Sequence, residues 1–168
     1  TVLADAYLAK LGWATVGLTI EDPGGGDCTT VGKWNEGKNT CTLRSDVADS
    51  FVIVSNDVTI NCRGHSITAP SGGAGTGIYF DRMTGITIKD CTIESFEYGI
   101  FLDDVSGNGV MAGNKIINNI LRDNETGIYN NDSNGNIFTD NIVVDGVYGI
   151  EIQGSEGHIL TDNTVQNN

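Results

Sequence analysis

The chain has 168 residues with 9 basic and 22 acidic side chains, so 9 − 22 gives a formal net charge of −13 at neutral pH. Such an acidic surface cannot neutralise phosphates, which excludes nucleic acids and anionic membranes as partners. Hydrophobic residues make up 39% and suffice for a core, whereas 23 glycines and abundant asparagine disfavour a mainly helical fold. No apolar run reaches the roughly 18 residues that predict a membrane span.

Residues 1–27 are predicted to be an N-terminal extension made of a helix and a strand. Leu3, Leu8 and Leu11 recur at helical spacing on one face, and residues 16–20 have the composition of a strand. The sequence leaves open whether this extension caps the domain that follows it or docks as an assembly arm on a neighbouring subunit.

The four cysteines indicate the compartment. They do not form a CxxC pair and the chain has two histidines, so we expect no zinc site. Cys28 and Cys41 flank a short polar loop, which predicts a disulfide in an oxidising compartment. Whether Cys62 and Cys91 are bonded or are buried thiols stays open.

Internal repeats dominate the rest of the chain. The first repeated segment occurs three times at an offset of 22 residues, as AGNKIINNIL (112–121), NGNIFTDNIV (134–143) and EGHILTDNTV (156–165). A second motif occurs four times, as TGIYF (76–80), YGIFL (98–102), TGIYN (126–130) and YGIEI (148–152). A fixed period of this length is the signature of a stacked repeat architecture.

The pattern inside each repeat predicts strands. Apolar residues alternate over short runs bounded by Asn, Gly or Asp, so each repeat contains about three strands and their corners. One repeat cannot bury its inward side chains, but repeats stacked about 4.8 Å apart can. Equivalent residues then form columns in the core, such as Ile78, Ile100, Ile128 and Ile150. The sequence therefore predicts an all-β fold, a single-stranded parallel β-helix of about six coils over residues 28–168.

An asparagine column accompanies the apolar columns. Asn119, Asn141 and Asn163 fall at the same position of successive repeats. A side-chain amide both donates and accepts hydrogen bonds, so stacked asparagines can bond to one another and to the backbone of the corners. We predict a structural asparagine ladder there.

The run NDVTINCRGHSIT…TGIYF…GITIKDCTIESFEYGI resembles the right-handed parallel β-helix repeat family, and the likeness extends over about residues 41–168. That group includes NosD-like and carbohydrate-associated surface proteins, and it is related in fold to pectate lyases, polygalacturonases and uronan epimerases. The resemblance implies a right-handed solenoid. It implies no single activity, because the group includes lyases, hydrolases, epimerases and adhesins.

A search for catalytic residues selects none. Asp103-Asp104 has the position of a hydrolase carboxylate pair, but the Gly-His-Gly and Arg-x-Lys patterns that accompany such a pair are missing. We expect this pair to cap a corner, and His65 to belong to a structural turn. The candidate bases for lyase chemistry do not form one column; they are Arg82, Lys89, Lys115 and Arg122. Whether the protein is an enzyme is left open, with the balance against it.

Stacked acidic residues raise the question of a metal. Asp140 lies above Asp162 with Asn118 in the same column, and Asp123 lies above Asp145. A solvated acidic face is our interpretation, with calcium binding as the alternative. We assign no metal ligand and expect no cofactor.

Two sequons, at Asn124 and Asn131, agree with a secreted protein and are candidate glycosylation sites. Tyrosines cluster near the Gly-Ile motif, where they either pack on the solenoid surface or form a sugar-stacking strip.

The last repeat stops at Asn168 part-way round a coil, and no capping helix follows it. We therefore expect the coil to be completed either by further chain or by another molecule, through candidate contact residues that include Leu160 and Val165 as well as the three N-terminal leucines. Head-to-tail contacts of this kind do not close and would form a filament.

These observations predict a secreted or cell-surface structural β-helix protein whose partners are other copies of itself, end to end, in a filament or a surface layer. The alternative is a carbohydrate-binding or carbohydrate-active module, similar to a uronan lyase or hydrolase, within a larger surface protein. In that case glycans are the partners.

Overall fold

The structure, a computed structural model, describes residues 17–70, 73–103 and 111–168. The helix predicted around Leu3, Leu8 and Leu11 lies outside the described residues, as does Asp104. No helix within the described ranges is long and apolar enough to cross a membrane.

The described residues form three sheets, each of which is one face of the solenoid and is built from strands of successive coils. Sheet A contains β1 (Leu18–Ile20), β4 (Phe51–Ile53), β7 (Thr76–Asp81), β10 (Tyr98–Asp103), β13 (Thr126–Asn131) and β16 (Tyr148–Gln153). Sheet B contains β2 (Gly32–Asn35), β3 (Thr40–Leu43), β5 (Thr59–Asn61), β8 (Thr87–Lys89), β11 (Lys115–Ile117), β14 (Ile137–Thr139) and β17 (Ile159–Thr161). Sheet C contains β6 (Ser66–Thr68), β9 (Thr92–Glu94), β12 (Ile120–Arg122), β15 (Ile142–Val144) and β18 (Thr164–Gln166). Two short helices, α1 (Cys28–Val31) and the 3₁₀ turn η1 (Glu36–Lys38), precede β3.

The chain visits the sheets in the order A, B, C and then returns to A one layer higher. The six strands of sheet A therefore define six coils, and the all-β parallel β-helix predicted from the repeats is confirmed. Every pairing from coil to coil is parallel within the described residues, whereas β2 pairs with β3 in the antiparallel direction.

The predicted apolar columns are confirmed residue by residue. Ile100 pairs with Ile78 on one side and with Ile128 on the other, and Ile128 pairs with Ile150. The column in sheet B contains Ile60, Ile88, Ile116 and Phe138, each fully buried. Because the strands alternate with a period of two, one residue in two fills this dry interior while its neighbours face outward.

The corners explain why Asn, Asp and Gly are so common. One corner column contains Asp90, Asn118, Asp140 and Asp162, whose φ angles lie between 53° and 57°. This left-handed conformation is costly for most residues but accessible to Asn and Asp. Gly99 is required for a steric reason, because a Cβ there would lie 2.6 Å from the carbonyl oxygen of Gly127 on the next coil.

The first coil begins before the predicted boundary at Cys28. Leu18–Ile20, which we assigned to the N-terminal extension, pairs in parallel with β4 and forms the first strand of sheet A. Ile20 is fully buried in the same core as the later coils. The boundary escaped sequence analysis because this coil contains α1, η1 and the antiparallel β2, which break the 22-residue spacing.

Both pairs of cysteines are bonded. Cys28 on α1 is linked to Cys41 on β3, as predicted. Cys62 and Cys91, whose state the sequence left open, also form a disulfide and connect two successive coils at the corner between sheets B and C. Two disulfides are typical of a protein from an oxidising compartment.

Candidate functional site

The asparagine ladder follows the column predicted for it. The Asn119 side chain accepts a hydrogen bond from the Cys91 backbone N–H (3.0 Å) and donates to the carbonyl of Ile88 (3.0 Å) and to Oδ1 of Asn141 (3.0 Å). Asn141 repeats these contacts one coil later with Asn163. Asn119 and Asn141 are fully buried, so the ladder satisfies backbone groups that water cannot reach.

Two further ladders were missed. Oδ1 of Asn114 accepts from the Ile86 N–H (2.9 Å), and the Asn114 N–H donates to Oδ1 of Asn136 (3.1 Å). At the corner between sheets C and A, Oδ1 of Asn124 accepts from the Phe96 N–H (3.0 Å). The 22-residue offset between Asn114 and Asn136 was the available signal. We missed this signal because asparagine occurs at several other positions of the aligned repeats, so one more asparagine column did not stand out.

The ladder role of Asn124 corrects one glycosylation candidate. Its side chain is 3% exposed, and its amide nitrogen donates to the Ile93 carbonyl at 2.9 Å. A glycan on this nitrogen is incompatible with the fold. Asn131 is partly exposed and donates to Oδ1 of Asp103 at 2.9 Å, so its use as a glycosylation site stays a prediction.

The outer face of sheet A bears a row of aromatic side chains, which we call the tyrosine face. It consists of Tyr79, Phe101 and Tyr129 in one column, with Tyr98 and Tyr148 beside them. Phe101 contacts Tyr79 and Tyr129 with centroid distances of 5.4 Å and 4.8 Å. Tyr79 and Phe101 are buried, whereas Tyr98 and Tyr129 are partly exposed and Tyr148 is 55% exposed.

The tyrosine face lies in a negative electrostatic field. Burial raises the pKa of Tyr129, and the nearby Glu151, Asp103 and Asp132 raise it further. Burial likewise raises the pKa of Tyr98, with Glu97 as the next cause. The hydroxyl of Tyr129 donates to Oε1 of Gln153 at 2.5 Å. This surface therefore suits neutral polar ligands better than carboxylated ones.

Those residues weighed for catalysis that the structure describes are not brought together into one cluster. Asp103 lies on the outer face of sheet A, where it pairs in register with Asp81 and Asn131. His65 lies 3.3 Å from Asp46, whose pKa is lowered first by a hydrogen bond from the Ser66 backbone.

The candidate bases are scattered as well. Arg82 pairs with Asp81, and Arg122 forms an ion pair of 2.6 Å with Glu94. Lys89 lies in register with Ile117 rather than with Lys115, so the two lysines do not share a column.

The acidic residues stack as the repeats predict, at corners rather than in a cage. Asn118 donates to Asp90 across one step of its column at 2.7 Å. Among the described residues, no group of three or more His, Cys, Asp or Glu side chains is arranged to hold a metal ion. Calcium binding at these corners stays the alternative to the solvated acidic face that we expect.

The sixth coil exposes its inward side chains. Leu160 is 50% exposed, although the equivalent Phe138 one coil earlier is fully buried. Val165 is 49% exposed, whereas Val143 below it is 1% exposed. At the opposite end, β2 lies along the edge of sheet B and is antiparallel to the coils.

Comparison with known proteins identifies the fold. A family model described as a right-handed β-helix region matches residues 34–168, most of the chain. Searches of curated proteins and of solved structures found no match. The matched region describes an architecture and assigns no activity, so the relation to NosD-like proteins and pectate lyases stays a prediction. Both the match and the six stacked coils show that the chain belongs to the right-handed β-helix family.

Proposed function

We propose that the protein is an extracellular structural module whose role depends on the rigidity of its solenoid. The observation that carries this proposal is the cross-linking of successive coils. Asparagine ladders occupy the corners of the later coils, and the Cys62–Cys91 disulfide replaces the ladder between two earlier ones. Each such link restrains a coil relative to its neighbour, as a protein that bears load or resists proteases requires.

The compartment can be tested through the thiols. Protein from its native source, denatured and treated with a maleimide, should contain no reactive cysteine until a reductant is added. Labelling of all four cysteines before reduction would contradict an extracellular location. A recombinant chain refolded in oxidant is the control that sets the fully bonded level.

We further propose that copies associate end to end through the sixth coil. Any polypeptide that covers this coil, whether further chain or a second copy, buries Leu160 and Val165, which are now half exposed. The sixth coil of one copy would then contact the N-terminal end of the next copy. At that end β2 runs antiparallel to the coils, so parallel strand pairing between the two copies would have to come from sheets A and C. We expect such pairing to add strand contacts of the kind already present between coils.

Light scattering after size exclusion, with electron microscopy, tests this assembly on residues 1–168. We expect mass to increase with concentration, and Leu160→Glu to abolish the increase because it places a charge in the contact. Thr161→Glu is the matched control, since Thr161 is exposed on the outer side of the same strand. The proposal would be refuted if the unmodified chain stayed monomeric at about 100 μM, or if both variants associated equally.

A second candidate function is binding of a neutral glycan at the tyrosine face. The specific observation is that the exposure of the rings increases from Phe101 to Tyr148, next to the polar side chains of Glu151 and Gln153. Aromatic faces with a few polar groups suit sugar rings, and the acidic surroundings disfavour uronates here.

Glycan-array binding followed by calorimetry tests this second function. Tyr148→Ala and Tyr129→Ala should weaken binding of a neutral oligosaccharide, whereas Ile142→Ala, an exposed apolar change on sheet C, should not. A rise in absorbance on pectin or alginate would instead indicate lyase activity and contradict a purely binding role.

A further inference from the structure

The tyrosine face brings carboxylates next to aromatic rings, and neither role proposed above accounts for their negative charge. Glu97 and Glu125 come directly before β10 and β13, and Glu151 pairs in register with Tyr129. A rigid structural module needs no such surface, and a neutral glycan would leave the charges uncompensated. From this juxtaposition we infer that the tyrosine face docks a basic segment of a partner protein through its arginine side chains.

The charge of the face is not compensated within the described residues. Neither lysine nor arginine occurs in β7, β10, β13 or β16, the strands that form the face. Glu125 and Glu151 are exposed, Glu97 is partly exposed, and none of the three forms an ion pair with a described residue. Basic side chains lie elsewhere, as Arg44 does in a groove with Trp34 on the first coil. A cationic partner would therefore be attracted without breaking an existing ion pair.

The tyrosine hydroxyls respond to the same negative field. Burial raises the pKa of Tyr98, and the surrounding charges, of which Glu97 is the strongest, raise it further. Glu125 and Glu151 act in the same direction. Surroundings that disfavour a negative charge on this ring favour a positive charge beside it.

The rings form one cluster with a fixed arrangement. The centroid of Tyr129 lies 5.4 Å from that of Tyr98 and 4.8 Å from that of Phe101. Phe101 is buried, whereas Tyr98 and Tyr129 are partly exposed and can be reached by a partner. Because the rings already hold one another, a docking side chain loses little affinity to ordering this surface.

Arginine fits this combination of groups better than lysine does. Its planar guanidinium stacks on an aromatic ring and also binds a carboxylate through two parallel hydrogen bonds. Tyr129 and Glu151 lie on adjacent strands, about 4.8 Å apart, so one guanidinium can contact both side chains. A lysine ammonium would supply the charge without the planar stacking surface.

Calorimetry with synthetic peptides tests the inference on the full chain. An Arg-Gly repeat peptide should bind saturably in physiological salt. The same peptide with citrulline in place of arginine keeps the shape without the charge and should not bind. A Lys-Gly repeat peptide of equal length should bind more weakly, because it cannot stack on the rings.

Variants of the face locate the binding. Glu125→Gln and Glu151→Gln should each weaken Arg-Gly affinity by about threefold, as expected for the loss of one exposed ion pair. Tyr129→Ala should weaken it at least as much, because it removes a stacking ring. Asp162→Asn is the matched control. It removes the same charge from an exposed corner between sheets B and C and keeps a residue that accepts the left-handed conformation. Circular dichroism confirms that each variant is folded.

Four outcomes would overturn the inference. One is the lack of saturable Arg-Gly binding, and another is citrulline peptide binding equally well, which would show that charge plays no part. Asp162→Asn weakening the affinity as much as Glu151→Gln would show attraction to the net charge of −13 rather than to this face. A Lys-Gly peptide binding as tightly as Arg-Gly would show that the rings contribute nothing. None of these outcomes bears on end-to-end association, and binding of a neutral glycan is measured separately.

Discussion

Replacing Asn119 with alanine is the most direct test of the ladder. The side chain is fully buried and makes three hydrogen bonds, to Cys91, Ile88 and Asn141. Each bond is worth about 1 kcal/mol net, and the Cys91 N–H left buried without an acceptor costs roughly 1–3 kcal/mol. We therefore expect the free energy of unfolding to decrease by about 4 kcal/mol, a large part of the roughly 5–15 kcal/mol typical of a native domain.

Urea and thermal denaturation followed by circular dichroism measure this loss. For a chain of this size, about 4 kcal/mol corresponds to a decrease in Tm of roughly 8–16 °C. Asn35→Ala is the matched control, because Asn35 is exposed and its side chain makes no capping hydrogen bond; we expect a change within about 0.5 kcal/mol. If Asn119→Ala cost no more than this control, the ladder would contribute nothing to stability and the reasoning would be wrong.

Three more predictions concern cross-links, pH and packing. Replacing Cys62 and Cys91 together with alanine should lower the free energy of unfolding by about 3.5 kcal/mol in urea titrations, since the bond closes a loop with a separation of 29 residues. Burial lowers the pKa of His158, which accepts a hydrogen bond from the Asn136 N–H, so the unfolded state binds the proton more readily. The contribution of neutral His158 to the free energy of unfolding is present above pH 6.5 and is lost as the pH falls below that value. A free energy of unfolding that does not change below pH 6.5 would contradict this, and so would the same pH dependence in His158→Asn. Gly99→Ala places a Cβ 2.6 Å from the carbonyl oxygen of the stacked glycine, so we expect a loss of roughly 1–3 kcal/mol or more, and a stable, unshifted variant would show that the coils can separate locally.

The sequence predicted the columns well because a solenoid repeats its contacts at a constant offset. Ile78, Ile100 and Ile128 lie in register as expected, and so do the asparagines of the first ladder. The prediction failed where the offset is interrupted. The first coil was assigned to an extension, although Leu18–Ile20 begins sheet A.

The functional surfaces were harder to predict, because the repeat period specifies neither which outward side chains stay exposed nor how the irregular first coil folds. Trp34 and Arg44 meet in one groove only because β2 folds back on β3. The tyrosines were recognised as columns, but their exposure depends on what covers each coil, and it varies from 4% at Tyr79 to 55% at Tyr148. Asn124 matched a sequon, yet its place in a ladder excludes a glycan.

The amino-acid sequence by itself determined that this protein is a stack of coils, because alternating apolar residues at a constant spacing can be buried only when one coil lies on the next. It also determined the composition of the corners, where Asp140 and Asp162 adopt a left-handed conformation that few other residues accept. The tertiary structure alone decided which outward side chains stay exposed, that Cys62 bonds to Cys91, and that Lys33 and Arg44 line one groove with Trp34. These features depend on what covers each coil, on the chemical state of stacked side chains and on the fold of the irregular first coil, none of which the repeat period specifies.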